Sequence, residues 1–172
     1  ADTFSQRFFE QQVEVNDNTF RLDNNYDINK NSSLEFGWWY TTNKIVSQAQ
    51  DQSEILQDSS ITGISNAFYG QYQLKLGKLD SKYGIRATHY DRKETIYPEP
   101  RLSFNYEVNS NIEIKAAYGI FHQMIRRLNE RSLYFSIPET WTLADENTIP
   151  VLRSDHYIIG STFRKSDWEV SV

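Results

Sequence analysis

Cysteine is absent from this 172-residue sequence, which excludes a disulfide framework and thiolate metal sites. No run of about eighteen apolar residues occurs, so the sequence predicts no transmembrane helix. A dense basic block is also missing and the net charge is −5, so we expect no nucleic-acid partner. There is no phosphate-binding glycine loop, no zinc-protease helix motif and no serine-nucleophile elbow. We therefore expect neither an enzyme nor a cofactor.

Aromatic residues are abundant although the chain is hydrophilic overall. They make up 15% of the residues, while 38% are hydrophobic and the mean hydropathy is −0.66. The low hydropathy alone suggests a soluble or disordered chain, but disordered chains are poor in aromatic residues. A transmembrane β-barrel reconciles these figures, because half of each strand faces a polar lumen.

Short polar turns alternate with long loops along the chain. The turns lie at 29–33, 77–81, 109–111 and 164–167, and the predicted loops at 48–62, 91–97 and 124–153. Short turns at one end of the strands and long loops at the other are typical of outer-membrane β-barrels. This arrangement predicts that one face of each strand meets lipid and the other faces the barrel interior.

The segments between the turns alternate apolar and polar residues, as half-buried strands do. In the first, Phe20, Leu22 and Tyr26 share one face, and Arg21 and Asp23 the other. The same alternation places these further residues on an apolar face: Leu34, Phe36, Trp38, Tyr40, Phe68, Tyr72, Leu74, Leu76, Tyr83, Ile85, Ala87, Leu102, Phe104, Tyr106, Val108, Ile112, Ile114, Ala116, Tyr118, Ile120, Tyr157, Ile159 and Phe163. We expect eight or nine antiparallel strands.

Val13 and Val15 occupy odd-numbered positions, whereas Phe20 and the other apolar residues of this segment occupy even-numbered ones. The apolar residues therefore change from one face of the strand to the other. Such an inversion predicts a break in register near residues 16–18, made by a tight turn or a bulge.

A soluble antiparallel sandwich or a lipocalin-like barrel also shows alternation. Three features favour a membrane barrel instead. The strands are near the ~9–11 residues that cross a bilayer. The long loops lie on one side only. Aromatic residues lie near strand ends, as in the girdles at the two membrane interfaces: Trp38, Trp39, Tyr40, Tyr118, Phe121, Tyr157 and Trp168.

The alternation of Trp168, Val170 and Val172 is still running at the last residue. Bacterial single-chain barrels have an even number of strands, and neither eight nor nine strands closes in the usual way here. An unclosed edge in lipid leaves backbone groups unpaired. We therefore expect a consecutive piece of a larger barrel, or a barrel that needs neighbouring chains.

Several segments resemble a known family. Residues 98–106 (PEPRLSFNY), a short Asn-rich turn and residues 114–123 (IKAAYGIFHQ) look like the TonB-dependent outer-membrane receptors. Residues 154–160 (SDHYIIG) and 34–37 (LEFG) fit the same pattern. Within the family, these segments resemble most the receptors of Bacteroidetes-type bacteria. The family's plug domain, its TonB-engaging box and its terminal aromatic residue have no counterpart here. The resemblance covers about two thirds of the chain.

The resemblance implies an all-β fold, an antiparallel transmembrane β-barrel of about 22 strands, of which residues 1–172 supply eight or nine. It also implies import of a scarce nutrient across the bacterial outer membrane: a ferric siderophore, cobalamin, or a glycan or peptide. The implied partners are outer-membrane lipid and lipopolysaccharide, a plug domain, TonB and a surface lipoprotein.

Candidate ligand contacts lie in the third loop and at the strand end beneath it. Arg126 and Arg127 suit an anionic ligand such as a ferric chelate, since arginine forks match carboxylates. Aromatic residues there suit stacking on a ligand or a partner. Loop packing, lipopolysaccharide contact and lumen lining explain the same residues. The candidates are His122, Gln123, Arg126, Arg127, Tyr134, Phe135 and Trp141.

Other polar residues are expected to lack a specific role. Glu94 and Glu99 are explained best by a solvated loop. His89, His122 and His156 lack metal-ligand spacing, so we expect no metal site. The following residues are expected to line the lumen and meet a plug: Arg21, Arg86, Arg101, Glu107, Glu113 and Lys115.

Two other classes of protein compete with a receptor. The first is a complete small outer-membrane barrel with a structural, adhesive or passive-pore role. The second is a barrel enzyme, which needs a serine, a histidine and a carboxylate converging at one rim. Ser154, Asp155 and His156 are neighbours in sequence, but adjacent strand residues point to opposite faces, so they make a poor triad.

Overall fold

The computed structural model of the chain describes residues 9–51, 54–128 and 140–172, which form β-strands joined by turns and short connections. The strands are β1 (Phe9–Asn29), β2 (Ser32–Asp51), β3 (Glu54–Leu76), β4 (Leu79–Tyr90), β5 (Thr95–Asn109), β6 (Ile112–Gln123), β7 (Ile125–Leu128), β8 (Thr140–Leu143), β9 (Leu152–Lys165) and β10 (Trp168–Ser171). A single 3-10 turn at Asp91–Lys93 interrupts them. No helix in the described ranges is long and apolar enough to cross a membrane.

Eight strands form one antiparallel sheet in the order β1-β2-β3-β4-β5-β6-β9-β10, and β7 pairs with β8 in a separate hairpin. Strands β1 and β10 lie at the two edges, so the described strands form an open sheet. The predicted all-β antiparallel fold is confirmed, and the larger sheet has eight strands.

All four predicted short turns are confirmed, and each leaves two residues between paired strands. Gly77 opens the β3–β4 turn with φ 57°, and Ser166 opens the β9–β10 turn with φ 51°. Positive φ at the first turn position is typical of type I′ and II′ hairpin turns, where glycine is favoured because it has no Cβ. Lys30 and Ser110, which open the other two turns, are not among the residues with positive φ.

The predicted loop at 48–62 is wrong, because β2 continues to Asp51 and β3 begins at Glu54. Strands β1, β2 and β3 have 21, 20 and 23 residues, about twice the 9–11 that cross a bilayer. The 91–97 loop is shorter than predicted, since β5 begins at Thr95. The 124–153 region, predicted as a long loop, does connect β6 to β9, and it contains the strand pair β7–β8.

The predicted register break near residues 16–18 is also wrong. Asp17 pairs with Asn43 and Val15 with Ile45, without a shift between them. The physical reason is a change of environment along one face. Ile45 is 1% exposed, because β8 packs against β1, β2 and β3 at this level. Apolar residues therefore appear on a face that is polar nearer the turns.

The sheet has two chemically distinct faces, in agreement with the predicted alternation. Strand register places Leu22, Trp38 and Phe68 side by side on one face, where Phe68 is 62% exposed. We call this the apolar face. Trp38 contacts Phe20 edge-on, with ring centroids 5.9 Å apart, and stacks on Phe68 at 6.3 Å.

The opposite face, here called the polar face, carries Arg21, Trp39 and Arg86. The alternation of strand residues also places Phe121 there. Trp39 and Phe121 are therefore not part of an aromatic girdle on the apolar face, as their positions near strand ends had suggested.

The most buried apolar side chains lie where the β7–β8 hairpin packs on the polar face. Tyr90 is 0% exposed and Leu143 1%. Ala67 and Ala144 are also buried. Unlike a sandwich, the chain places this small core on one side of the sheet, between the hairpin and the strand ends opposite the short turns.

Candidate functional site

Three arginines of the polar face stack on aromatic rings, two of them on Trp39 and one on Phe121. The guanidinium carbon of Arg21 on β1 lies 4.2 Å from the ring centroid of Trp39, and that of Arg86 on β4 lies 4.4 Å from it. Arg101 on β5 stacks on Phe121 at 4.7 Å. Strand alternation directs these side chains to the same face. We call Arg21, Arg86 and Arg101 the arginine cluster.

Glu99 is the buried carboxylate of this cluster. Its side chain is 6% exposed, and its Oε2 lies 3.1 Å from Nη2 of Arg101 and 3.8 Å from Nε of Arg86. Its Oε1 accepts a hydrogen bond of 2.7 Å from the backbone N–H of His122. The expectation that a solvated loop explains Glu99 is wrong: the residue belongs to β5, and strand alternation turns it inward. Glu94 is exposed and lies 3.5 Å from His89.

A second carboxylate, Asp23, orients the aromatic side chains of the polar face. Its Oδ1 accepts hydrogen bonds from Nε1 of Trp39 at 2.8 Å and from the hydroxyl of Tyr69 at 2.7 Å. Gly37 makes this approach possible, because a Cβ there would lie 2.6 Å from Cε1 of Tyr69 and 2.5 Å from the carbonyl oxygen of Leu22. The indole of Trp39 is therefore held in a defined orientation between the arginines.

A cleft of about 330 Å³ opens beside the arginine cluster. Arg86 and Arg101 lie on one side of it, and Met124 and Ile125 at the base of the β7–β8 hairpin on another. Its remaining lining is Asp17, Thr41, Asn43, Ser65, Thr88, Glu99, Phe121, His122 and Gln123. This lining combines charged groups, hydroxyls, two side-chain amides and an aromatic ring, which suits a polar small ligand.

The hairpin is anchored to the sheet at the carbonyl oxygen of Ala144. This oxygen accepts hydrogen bonds from the hydroxyl of Tyr90 at 3.0 Å and from Nε of Arg92 at 3.2 Å. Arg92 also donates from Nη1 to the carbonyl of Thr62. Gly63 permits the close packing, since a Cβ there would lie 3.0 Å from the Tyr90 hydroxyl oxygen. The hairpin is therefore fixed against the polar face by both polar and apolar contacts.

Two ionisable groups near the hairpin have shifted pKa values. Burial raises the pKa of the Tyr90 phenol to about 12, because the charged form would lose its hydration. The hydrogen bond from the Thr148 hydroxyl, aided by the backbone N–H groups of Thr148 and Ile149, holds the pKa of Asp145 well below its usual range. Tyr90 therefore stays protonated and Asp145 ionised at neutral pH.

The predicted ligand residues fall into two groups. His122 and Gln123 line the cleft, and the His122 side chain is 10% exposed with Nδ1 lacking a hydrogen-bond partner among the described residues. Arg126, Arg127 and Trp141 lie on the hairpin, where Arg127 pairs with Trp141. Because adjacent strand residues project to opposite faces, Arg126 and Arg127 do not converge on one side. Tyr134 and Phe135 lie outside the described residues.

The sequence predicted the three arginines only as lumen lining, and it predicted Glu99 as a solvated loop residue. The sequence did indicate that these four residues lie on the polar face, because of the alternation of apolar and polar positions. Arg21, Arg86, Glu99 and Arg101 each occupy a polar position of an alternating strand. Which polar residues meet depends on strand register, which the sequence alone did not supply.

Ser154 and His156 meet on the polar face, with Nε2 of His156 2.8 Å from the Ser154 hydroxyl oxygen. Asp155 accepts hydrogen bonds from Arg153 at 2.9 and 3.0 Å and from Tyr118 instead. Within the described residues, no carboxylate hydrogen-bonds to the other ring nitrogen of His156. The geometry therefore does not assemble a catalytic triad from these neighbours.

No protein family matches the chain, and no curated protein does. Among solved structures, the chain is similar to the crystal structure of the siderophore receptor PirA from Pseudomonas aeruginosa, with a TM-score of 0.66 and 14% sequence identity. The similarity covers 92% of this chain and 31% of PirA. The chain therefore has the fold of part of a β-barrel wall and spans less than a third of that receptor.

Proposed function

We propose that this chain is part of the barrel wall of a TonB-dependent receptor in the bacterial outer membrane, which imports a scarce nutrient. Its ligand is a ferric siderophore, cobalamin, or a glycan or peptide. The observation that carries the proposal is the structural similarity of 92% of the chain to a siderophore receptor. The low sequence identity leaves the ligand open, so the physical chemistry of the two sheet faces supplies the further support.

The apolar face supports a membrane location. Large side chains such as Phe68 and Ile159 are 62% and 84% exposed on it. Soluble monomers rarely expose contiguous apolar patches of this kind, whereas a barrel in lipid requires them. The stretch from Phe20 to Ile28 on β1 has about the length of the 9–11 residues that cross a bilayer. Lipid and lipopolysaccharide are the partners that we propose for this face.

The polar face supports a lumen that handles a polar ligand. It carries the arginine cluster, Glu99 and the cleft, and the β7–β8 hairpin covers its end opposite the short turns. We propose that His122, Gln123, Arg126, Arg127 and Trp141 contact the ligand as it enters. In this proposal a plug domain and TonB, acting through other parts of the protein, supply the energy-dependent step, and a surface lipoprotein is a further partner. The proposed role is transport without a catalytic step.

Uptake in the native bacterium tests this function. A strain lacking the gene is compared with its parent for uptake of radiolabelled ferric siderophores of the hydroxamate, catecholate and carboxylate types, and of radiolabelled cobalamin. We expect one substrate to lose its uptake, to regain it on complementation, and to lose it in the parent when a protonophore collapses the proton-motive force. Immunoblots of membrane fractions check the location. Recovery of the protein in the soluble fraction would refute the proposal.

Passive transport is the alternative outcome of the same experiment. A passive pore would give uptake that a protonophore leaves unchanged and that rises linearly with substrate concentration. Saturable uptake that stops with the proton-motive force distinguishes an energised receptor from such a pore.

A further inference from the structure

Most hydrogen-bond donors of the arginine cluster have no acceptor among the described residues. Each guanidinium carries five N–H groups and no acceptor. Among the described residues, Arg21 has the ring contact with Trp39 and no hydrogen bond. Arg86 donates one hydrogen bond of 3.3 Å, from Nε to Thr88. The Nη groups of Arg86 and all the donors of Arg21 therefore have no hydrogen-bond acceptor among the described residues.

The neighbouring carboxylates do not fill this deficit. Glu99 is shared by Arg86, Arg101 and the backbone of His122. Asp23 accepts from Trp39 and Tyr69. Asp17 accepts from Thr19 and Asn43. Each of these three carboxylates thus already has at least two partners, and within the described residues most guanidinium N–H groups of the cluster have no acceptor.

The donors lie beside space that a ligand can enter. The 330 Å³ cleft has Arg86 and Arg101 in its wall together with Thr41 and Thr88, and Arg21 flanks the same indole as Arg86. Planar guanidinium forks match the oxygens of carboxylates and phosphates, often two at a time. The hydroxyls of the threonines add donors suited to the same oxygens.

We propose that Arg21, Arg86 and Arg101 form a binding site for an oxyanion, a carboxylate or phosphate group of a small ligand, with Trp39 holding two of the guanidinium groups in place. The inference rests on the proposed receptor function and narrows it, because it makes the imported nutrient an anion. The site is distinct from the hairpin residues Arg126 and Arg127.

Direct binding to the full-length protein in detergent tests the site. The probes are citrate, inorganic phosphate and the neutral polyol sorbitol, measured by calorimetry and by tryptophan fluorescence. We expect saturable binding of citrate or phosphate and none of sorbitol. Binding of citrate indicates a site for carboxylates, and binding of phosphate indicates a site for phosphate groups. The double variant Arg21→Gln, Arg86→Gln should weaken anion affinity roughly tenfold or more. Trp39→Phe should abolish the fluorescence change while calorimetry still detects binding.

Two variants control for charge and folding. Arg153→Gln removes one positive charge from β9, where Arg153 pairs with Asp155, and should leave affinity unchanged. Arg21→Gln alone removes no hydrogen bond between the described residues, so its fold should persist even if the double variant misfolds. We expect it to weaken binding by a smaller factor.

Three results would overturn the site: no saturable binding of either anion to the wild-type protein, equal affinity in the folded Arg21→Gln variant, or equal loss in Arg153→Gln. Normal energy-dependent uptake of a neutral nutrient would also overturn it while leaving the receptor function intact. Uptake that is independent of the proton-motive force, with anion binding retained, would refute the receptor function and leave the site.

Discussion

The hydroxyl of Tyr90, at the end of β4, donates a hydrogen bond of 3.0 Å to the backbone carbonyl of Ala144, which follows β8. The two residues are 54 positions apart in the chain, and both are fully buried. This contact joins the β7–β8 hairpin to the wall on which it lies. The hairpin is therefore packed against the sheet and hydrogen-bonded to it.

Removing that hydroxyl should loosen the hairpin. In Tyr90→Phe the ring still packs, but the carbonyl of Ala144 keeps only Arg92 as donor. A hydrogen bond of this kind is worth about 1 kcal/mol, so we expect amide exchange in residues 141–144 to accelerate roughly fivefold. Hydrogen-exchange mass spectrometry measures it. Tyr26→Phe, an exposed tyrosine on the apolar face, is the control. Equal exchange rates in wild type and Tyr90→Phe would contradict the anchoring role.

Glu99 and Glu94 should respond very differently to the same substitution. Glu99→Gln leaves Arg86 and Arg101 without their shared carboxylate in a buried setting, which should cost about 2 kcal/mol or more. Glu94→Gln alters an exposed pair with His89 and should change stability by less than about 0.5 kcal/mol. Urea unfolding in detergent micelles, followed by tryptophan fluorescence, compares them. Similar midpoints for the two variants would show that Glu99 does not hold the cluster together.

Gly37 and Gly70 provide a second matched pair, on adjacent strands. A Cβ at Gly37 would lie 2.5 Å from the backbone oxygen of Leu22, whereas a Cβ at Gly70 meets nothing within 4 Å. Overpacking of this kind costs about 1–3 kcal/mol, so Gly37→Ala should destabilise the fold by about that amount. Gly70→Ala should be neutral or slightly stabilising. The same unfolding assay checks both, and a neutral Gly37→Ala would show that the strands move apart freely there.

The β9–β10 turn holds Ser166 at φ 51°, a region that disfavours residues with a Cβ. Ser166→Gly removes this strain and should stabilise the hairpin by about 0.5–1 kcal/mol. Ser110→Gly is the control, because Ser110 is not among the residues with positive φ and glycine there only adds chain entropy. Exchange rates of the β9–β10 amides should fall in the first variant and not in the second.

The turn at Asp145 should resist acid. Because its pKa is lowered in the folded protein, the carboxylate contributes stability that is complete above its ordinary pKa of about 4 and is lost only as the pH falls through the lower folded value. We expect the amides of Asn147, Thr148 and Ile149 to keep their protection at pH 5 and at about pH 3. Asp145→Asn should reduce it at both. Loss of protection in the wild type near pH 4 would contradict the shift.

Local chemistry determined much of the fold. Period-two alternation along residues 20–28 and 101–108 is a property of neighbouring residues, so the strands and their two faces were predictable. Turn pairs such as Gly77-Lys78 and Ser110-Asn111 are likewise short-range signals, and all four turns were correct. The prediction that His122, Gln123, Arg126, Arg127, Tyr134 and Trp141 contact a ligand stays a prediction.

The tertiary structure decided where polar residues meet. Ile45 is buried because β8, about a hundred residues further along the chain, packs against β2, and no window around residue 45 contains that information. The meeting of Arg21, Trp39 and Arg86 depends on the register of four strands. The face on which each residue lies could be predicted from the sequence, because side-chain direction alternates within a single strand. Only pairing between distant strands decided which of them became neighbours, because register is a property of two strands and not of one.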